Sequence, residues 1–301
     1  MKNVIVFGST GLLGSALVRA NPGCIEVSSK DFNAMDLVET KEWFKNNKLL
    51  IEDSTAHICC GRVAGIGGQK NLAMFTENML MVMNLVNCLA EYQKQGKTVY
   101  YSSSCVYPQH LDEFNEEDMF TGIFEPTNEG YALAKAAGQK LCFYWNQALG
   151  KYQFITVIPP NLYGDNDNWN IETCHVLPAL AQKILHAKKT GEPLKIWGVP
   201  ETKREFLRSD DVADAAMYIL NNDISNTVFN AGMGTDISIG EIIEGLCKRL
   251  DYNGTPEYTG NLVGKTRKLL KTTLLDNAGW KSKYNYDDML DYIAKEAIHK
   301  I

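Results

Sequence analysis

The chain contains no Cys-x-x-Cys pair, no internal repeat, no low-complexity linker and no excess of positive charge. Each absence excludes something. The eight cysteines, at 24, 59, 60, 88, 105, 142, 174 and 247, lack the spacing that holds zinc. No metal site is therefore expected, and most of these thiols read as small buried hydrophobes. The N-terminal apolar run stops at Phe7 in a glycine turn, too early for an export signal. The thiols are then expected to be reduced, in a cytoplasm. A net charge of −6 argues against a polyanion-binding surface, so no nucleic-acid partner is expected. No apolar stretch of about 18 residues is evident, and no membrane span is expected.

What is present is an alternation. The 301 residues, 45% hydrophobic and 22% charged, suffice for one large or two modest globular domains. "NVIVF" (3–7), "CIEVSS" (24–29), "AHICC" (56–60), "KTVYYSSS" (97–104) and "QFITVIPP" (153–160) read as strands. Long helices are expected over 71–95 and 129–150, where apolar residues recur every three or four positions. Strands alternating with helices imply α/β architecture, a Rossmann-type doubly wound parallel sheet. After Pro160 loops lengthen and Asn, Asp and Gly rise. The division expected is a dinucleotide-binding domain over 1–160 and a smaller interleaved lobe over 161–301, with 205–230 returning to the first domain. Asp210 and Asp211 are expected to cap the helix in that returning segment.

In "GSTGLLG", Gly8, Gly11 and Gly14 follow a strand and open a helix. Glycines there let the backbone of Gly8, Ser9, Thr10, Gly11, Leu12, Leu13 and Gly14 approach a pyrophosphate at the helix N-terminus. At the end of the second strand an acid would hold the ribose hydroxyls of NAD. Ser28, Ser29 and Lys30 stand there instead, which suits a 2′-phosphate, hence NADPH over NADH. In "GYALAK", Tyr131 and Lys135 share one helical face. An ammonium beside a phenol favours the phenolate, and a phenol so tuned exchanges a proton with a carbonyl oxygen. Ser103, at a strand end, can orient that oxygen.

These features resemble the extended short-chain dehydrogenase/reductases. Within them, the subgroup of GDP-4-keto-6-deoxymannose 3,5-epimerase/4-reductases is similar along essentially the whole chain. "CGRVAGI", "SSSCVYP", "EPTNEGYALAK", "PPNLYGDNDN", "HVLPAL", "REFLRSDDVA" and "RKLL" carry the resemblance. It implies Ser103, Tyr131 and Lys135 for reduction and Cys105 with His175 for epimerisation. It places His175 near the nicotinamide and sugar, and Asn161 and Leu162 in the stretch meeting cofactor and substrate. It implies Lys183, Trp197, Arg204 and Lys268 as contacts of a GDP-linked 4-keto sugar. A 4-keto sugar has acidic C–H bonds at C3 and C5. A thiol and an imidazole are the right kind of base and acid to invert them. Two alternatives stand beside this reading: a 4-reductase only, acting on a related sugar such as a 6-deoxyheptose, and a non-catalytic dinucleotide sensor, which needs neither residue pair. The two long helices carry more apolar surface than one sheet face requires, and in this superfamily such helices often form a four-helix dimer bundle. A homodimer is expected.

Overall fold

The first β-branched run forms β1 (Val4–Phe7), and the glycine turn behind it feeds α1 (Leu12–Ala20). The structure, a computed structural model, describes residues 3–63, 71–222, 224, 226–260 and 265–300. Residues 64–66 of "CGRVAGI" lie outside the described residues. β2 (Ile25–Val27) pairs parallel with one side of β1. The chain then passes through α2 (Leu37–Asn46) and the short α3 (Lys48–Ile51), and β3 (Thr55–Ile58) pairs with the other side of β1. α4 (Asn71–Tyr92) leads to β4 (Thr98–Tyr101). A two-residue strand, β5 (Glu113–Phe114), precedes α5 (Glu129–Leu149) and β6 (Phe154–Ile158).

Beyond Pro160 the strands shorten. β7 (Asn161–Tyr163), α6 (Val176–Thr190), β8 (Lys195–Ile196), β9 (Lys203–Arg204) and β10 (Phe206–Arg208) lead into α7 (Ser209–Asn221) and β11 (Val228–Asn230). Then come β12 (Ile237–Ser238), α8 (Ile239–Arg249), β13 (Glu257–Tyr258), β14 (Arg267–Leu270), α9 (Thr273–Ala278) and α10 (Tyr286–Lys300).

The large sheet has the order β2-β1-β3-β4-β6-β11, all parallel. Side chains alternate between its faces. Ile5, Phe7, Ile58, Tyr100 and Phe154 pack toward α2, α4 and α5, where Phe44, Leu85, Leu89 and Cys142 meet them. Val6, Val99, Tyr101, Ile155 and Val157 pack toward α1 and α7, against Leu17, Val212 and Ala216. Because both faces are covered, the strands read as continuous apolar runs. The chain runs from β1 out to β2, then returns to the other side of β1 as β3. That reversal opens a crevice beyond the carboxyl ends of β1 and β3, where ligands bind open α/β sheets. A separate apolar core joins α6, α8 and α10 through Leu177, Ile184, Ile242, Leu246, Met289 and Ile293.

Two expectations are corrected. Asp210 and Asp211 lie inside the first turn of α7, behind an Arg208 N-cap. Asp210 pairs with Arg19 and Arg208, and Asp211 accepts the amides of Lys283 and Tyr284, so both tie α7 to neighbours rather than cap it. Leu72–Tyr92 is, by length and composition, apolar enough to cross a membrane. Glu77, Asn78, Asn84, Asn87 and Glu91 interrupt its apolar run. In the fold, Val82, Leu85, Val86 and Leu89 of this helix are buried in the sheet-facing core.

Candidate active site

Chain geometry explains the glycine turn. Gly8 adopts φ +85°, a left-handed conformation, and a Cβ there would lie 2.6 Å from the Cys60 amide nitrogen. A Cβ on Gly14 would lie 1.9 Å from the Gly8 carbonyl oxygen. Those two glycines let β1, β3 and α1 close on one another. Gly11 is different: its nearest neighbour would be the Gly8 carbonyl at 3.5 Å, so the fold itself does not forbid a side chain. Gly11 is the N-cap of α1 and supplies no side-chain cap. The first-turn amides of a helix have no intrahelical partner. A pyrophosphate with oxygens facing Leu12, Leu13 and Gly14 fits this opening, with Ser9 and Thr10 in the same turn.

Lys30 is exposed in the turn that follows β2, its amide donating to the Ser28 hydroxyl at 3.3 Å. An acid does lie in this turn. Asp31 accepts the Ser28 amide at 2.8 Å and the Ser28 hydroxyl at 3.0 Å. Its carboxylate is thereby occupied within the turn, while Lys30 is exposed.

The strand-end residues converge. Ser103 caps the single 3-10 turn at 104–106, accepting the Cys105 amide at 3.3 Å. This turn follows β4 directly and packs on the start of α5, which brings Tyr131 to it. The Tyr131 hydroxyl lies near enough to the Ser103 side chain for that group to favour the phenolate. Burial raises the Tyr131 phenol well above its ordinary value, Cys105 nearby adds to this, and the Ser103 contact opposes it. The Lys135 ammonium lies over the Tyr131 ring, 5.8 Å from its centroid, and donates to the Tyr101 carbonyl at 2.8 Å. The expected lowering of the phenol by this ammonium is therefore not realised here: burial prevails, and the cation's hydrogen bond goes to the backbone. Burial also lowers Lys135, against the opposing pull of Cys60 and Cys59.

Cys105 accepts an N–H from the Asn128 side chain at 3.1 Å. Such a donor counts for more once sulfur carries charge. Arg204 stands close enough to Cys105 to feel its charge. It donates to the carbonyls of Lys203 and Lys265, both at 2.7 Å. Beside it Lys268 pairs with the buried carboxylate of Glu125. Burial alone would raise Glu125, but Lys268 and the Thr127 hydroxyl hold it below its usual value. Lys265 completes this basic group; burial pushes it down to about 8. Arg204, Lys265 and Lys268 around one glutamate form a cationic rim next to Cys105.

His175 is the N-cap residue of α6, and its Nδ1 lies 3.8 Å from the Asp167 carboxylate. Asn161 donates its side-chain amide to the Glu205 carbonyl at 2.9 Å, and Leu162 packs against the core shared by α1 and α7. Lys183 lies 5.0 Å from the Trp197 ring centroid, and the indole is 69% exposed. These two stand on α6 and just beyond β8, as a separate cation–aromatic platform.

Sequence reasoning missed Asn128, Glu125, Asp167 and Lys265. The first two sit inside "EPTNEGYALAK" and the third inside "GDNDN". The only signal available was a polar side chain within a motif chosen for other reasons.

Residues 4–232 match the NAD dependent epimerase/dehydratase family. The chain belongs to this family. Among members, it is 35% identical over 292 residues to a GDP-L-colitose synthase of Yersinia pseudotuberculosis, covering 94% of each chain. It is 35% identical over 290 residues to a GDP-L-fucose synthase of Sinorhizobium fredii, covering 94% of this chain and 91% of that one. A solved GDP-mannoheptose C4 reductase from Campylobacter jejuni, with NADP bound, superimposes with a TM-score of 0.86 at 25% identity, covering 99% of this chain and 98% of that one. The epimerase/dehydratase fold thus runs along essentially the whole chain.

Proposed function

We propose that this protein is an oxidoreductase that uses NADPH to reduce the 4-keto group of a GDP-4-keto-deoxy sugar, coupled to epimerisation at C3 and C5. The observation that carries the reading is the convergence of Ser103, Tyr131 and Cys105 at the end of β4, with the Lys135 ammonium over the tyrosine ring. When bound, NADPH supplies the hydride for C4. The α1 N-terminus would hold its pyrophosphate and Lys30 its 2′-phosphate, and Lys135, Asn161, Leu162 and His175 would meet its nicotinamide end. Ser103 orients the substrate carbonyl oxygen. Tyr131, kept protonated by burial, is in the acid form that a developing alkoxide requires, and the Lys135 charge steadies the phenolate it leaves. Cys105 and His175 exchange the C3 and C5 protons. Arg204 and Lys268 meet the diphosphate, and Lys183 with Trp197 the rest of the nucleotide sugar.

The enzyme works in a cytoplasm, where its thiols stay reduced, as a homodimer. Support for the dimer comes from the outer faces of α4 and α5, where Leu80, Met83, Leu133, Phe143 and Tyr144 are exposed apolar side chains.

The test is isotope exchange. With NADP⁺ in place of NADPH in D₂O, the 4-keto substrate should gain deuterium at C3 and C5, and Cys105→Ser should abolish the uptake. A second reading, 4-reduction alone on a sugar such as a 6-deoxyheptose, is favoured by the likeness to the heptose C4 reductase. Ready reduction without deuterium uptake would establish it and end the epimerase assignment.

A further inference from the structure

The loop between β7 and α6 buries a polar pair that the reduction chemistry does not use. The Asp167 side chain is 4% exposed. Its Oδ1 accepts the Asn168 amide at 2.8 Å, and its Oδ2 is buried without a partner among the described residues. Across from it, His175 is 37% exposed as a side chain, yet its Nδ1 is buried and also without a hydrogen-bond partner among the described residues. The separation between Nδ1 and Oδ1 is 3.8 Å. A buried carboxylate and a buried ring nitrogen left unpaired are each costly. The carboxylate oxygen opposite Nδ1 is Oδ1, which has acceptor capacity beyond the Asn168 amide, and a shift of about 1 Å would bring the two to the 2.7–2.9 Å of a charge-assisted hydrogen bond.

We propose that Asp167 is a positioning residue for His175, holding the imidazole with its proton on Nδ1 so that Nε2 is the nitrogen free to exchange a proton with substrate. This rests on the reading of His175 as one member of the epimerisation pair. The argument is electrostatic. A lone pair on Nδ1 would face a carboxylate oxygen and be repelled, whereas an Nδ1–H is attracted. In a neutral imidazole, a proton on one nitrogen leaves the other as acceptor. When Nε2 gains a second proton, the same carboxylate stabilises the imidazolium. The α6 N-terminus beside the ring favours negative charge and opposes a cation, so the carboxylate supplies what the helix withholds. Cys174 lies near enough to Asp167 to feel its charge, its thiol raised first by burial, and Gln182 donates to Cys174 and to the Trp169 carbonyl.

The decisive measurement does not depend on turnover. Protein labelled with ¹⁵N-histidine carries five imidazoles, and loss of one signal set in His175→Ala assigns the site. At neutral pH the wild type should show the Nδ1–H tautomer for His175. In Asp167→Asn, an uncharged amide no longer draws the Nδ1 proton as a carboxylate does, so the preference for Nδ1–H should weaken and the Nε2–H tautomer should gain population. The same variant should lose deuterium exchange at C3 and C5 by about 10²–10⁴-fold, the scale on which a wrongly oriented tautomer acts in serine proteases. Its reduction of a ketone supplied in the final stereochemistry, and its KM for that ketone, should change less than about threefold. An Nε2–H signal in the wild type, or an unchanged tautomer in Asp167→Asn, overturns the proposal. If Asp167→Asn does not fold, the wild-type tautomer alone decides. A wild type with the Nδ1–H tautomer but no deuterium exchange would uphold the positioning and overturn the epimerase reading instead.

Discussion

The Lys135 ammonium donates to the Tyr101 carbonyl at 2.8 Å while lying over the Tyr131 ring. It is anchored by the backbone, with Gly61 beside it: a Cβ there would meet its nitrogen at 3.6 Å, an ordinary contact. In the proposed reaction Tyr131 donates the proton and Lys135 supplies only the charge beside it. Tyr131→Phe should bind NADPH normally and lose at least about 10²–10⁴-fold in kcat, since general acid catalysis contributes on that scale. Retention of more than about a tenth of wild-type kcat would remove Tyr131 from the acid role.

Lys30 and Asp31 give a second prediction. Asp31 is engaged by Ser28, while Lys30 is exposed in this turn. Lys30→Glu should raise the KM for NADPH far more than that for NADH. Equal effects on both would make Lys30 a surface residue only.

A third concerns pH and stability. Glu205 is buried, and burial raises its carboxyl to about 7, outweighing the amides of Leu270, Gly234 and Met233 that hydrogen-bond it. The folded state therefore holds this proton more tightly than the unfolded chain, whose glutamate titrates near about 4.3. The unfolded state binds fewer protons in that window, so stability falls as pH rises from about 4.3 to about 7, by roughly 1 kcal/mol per pH unit. Glu205→Gln should remove this slope. Urea titrations at pH 5 and 7 read it, and identical slopes in wild type and variant would refute the assignment.

The fourth tests assembly. Leu80→Glu on α4 puts a charge on the exposed apolar face and should convert a dimer to a monomer by light scattering, with the far-UV spectrum unchanged. A wild type already monomeric at micromolar concentration would end the dimer proposal.

The parts of the fold that were legible are those written locally. β1, the glycine turn and α1 follow one another within a few residues, and α4 and α5 repeat their apolar positions over many turns. α2 was not anticipated because only Thr40 and Phe44 of its residues are buried, too little for a periodic stripe. The two-residue strands β8, β9, β12 and β13 exist only through pairing with distant segments, as when Arg204 aligns with Ile237 and Lys268. The site divides in the same way. Ser103, Cys105, Tyr131 and Lys135 announce themselves by residue type at short spacing. Asp167 is meaningful only opposite His175, and Glu125 only opposite Lys268, 143 positions away.

The edge position of β11 bears on how the chain can be divided. β11 closes the far side of β6, and Asn230 within it is held by the Tyr107 hydroxyl and the carbonyls of Phe114 and Lys271. A polypeptide stopped at Pro160 would keep the glycine turn, the tyrosine and the lysine. It would also expose the fully buried β6 as a bare strand of Phe-Ile-Thr-Val-Ile, a template for pairing with other copies of itself. Such a fragment should precipitate as β-rich aggregates rather than persist as a miniature cofactor-binding protein.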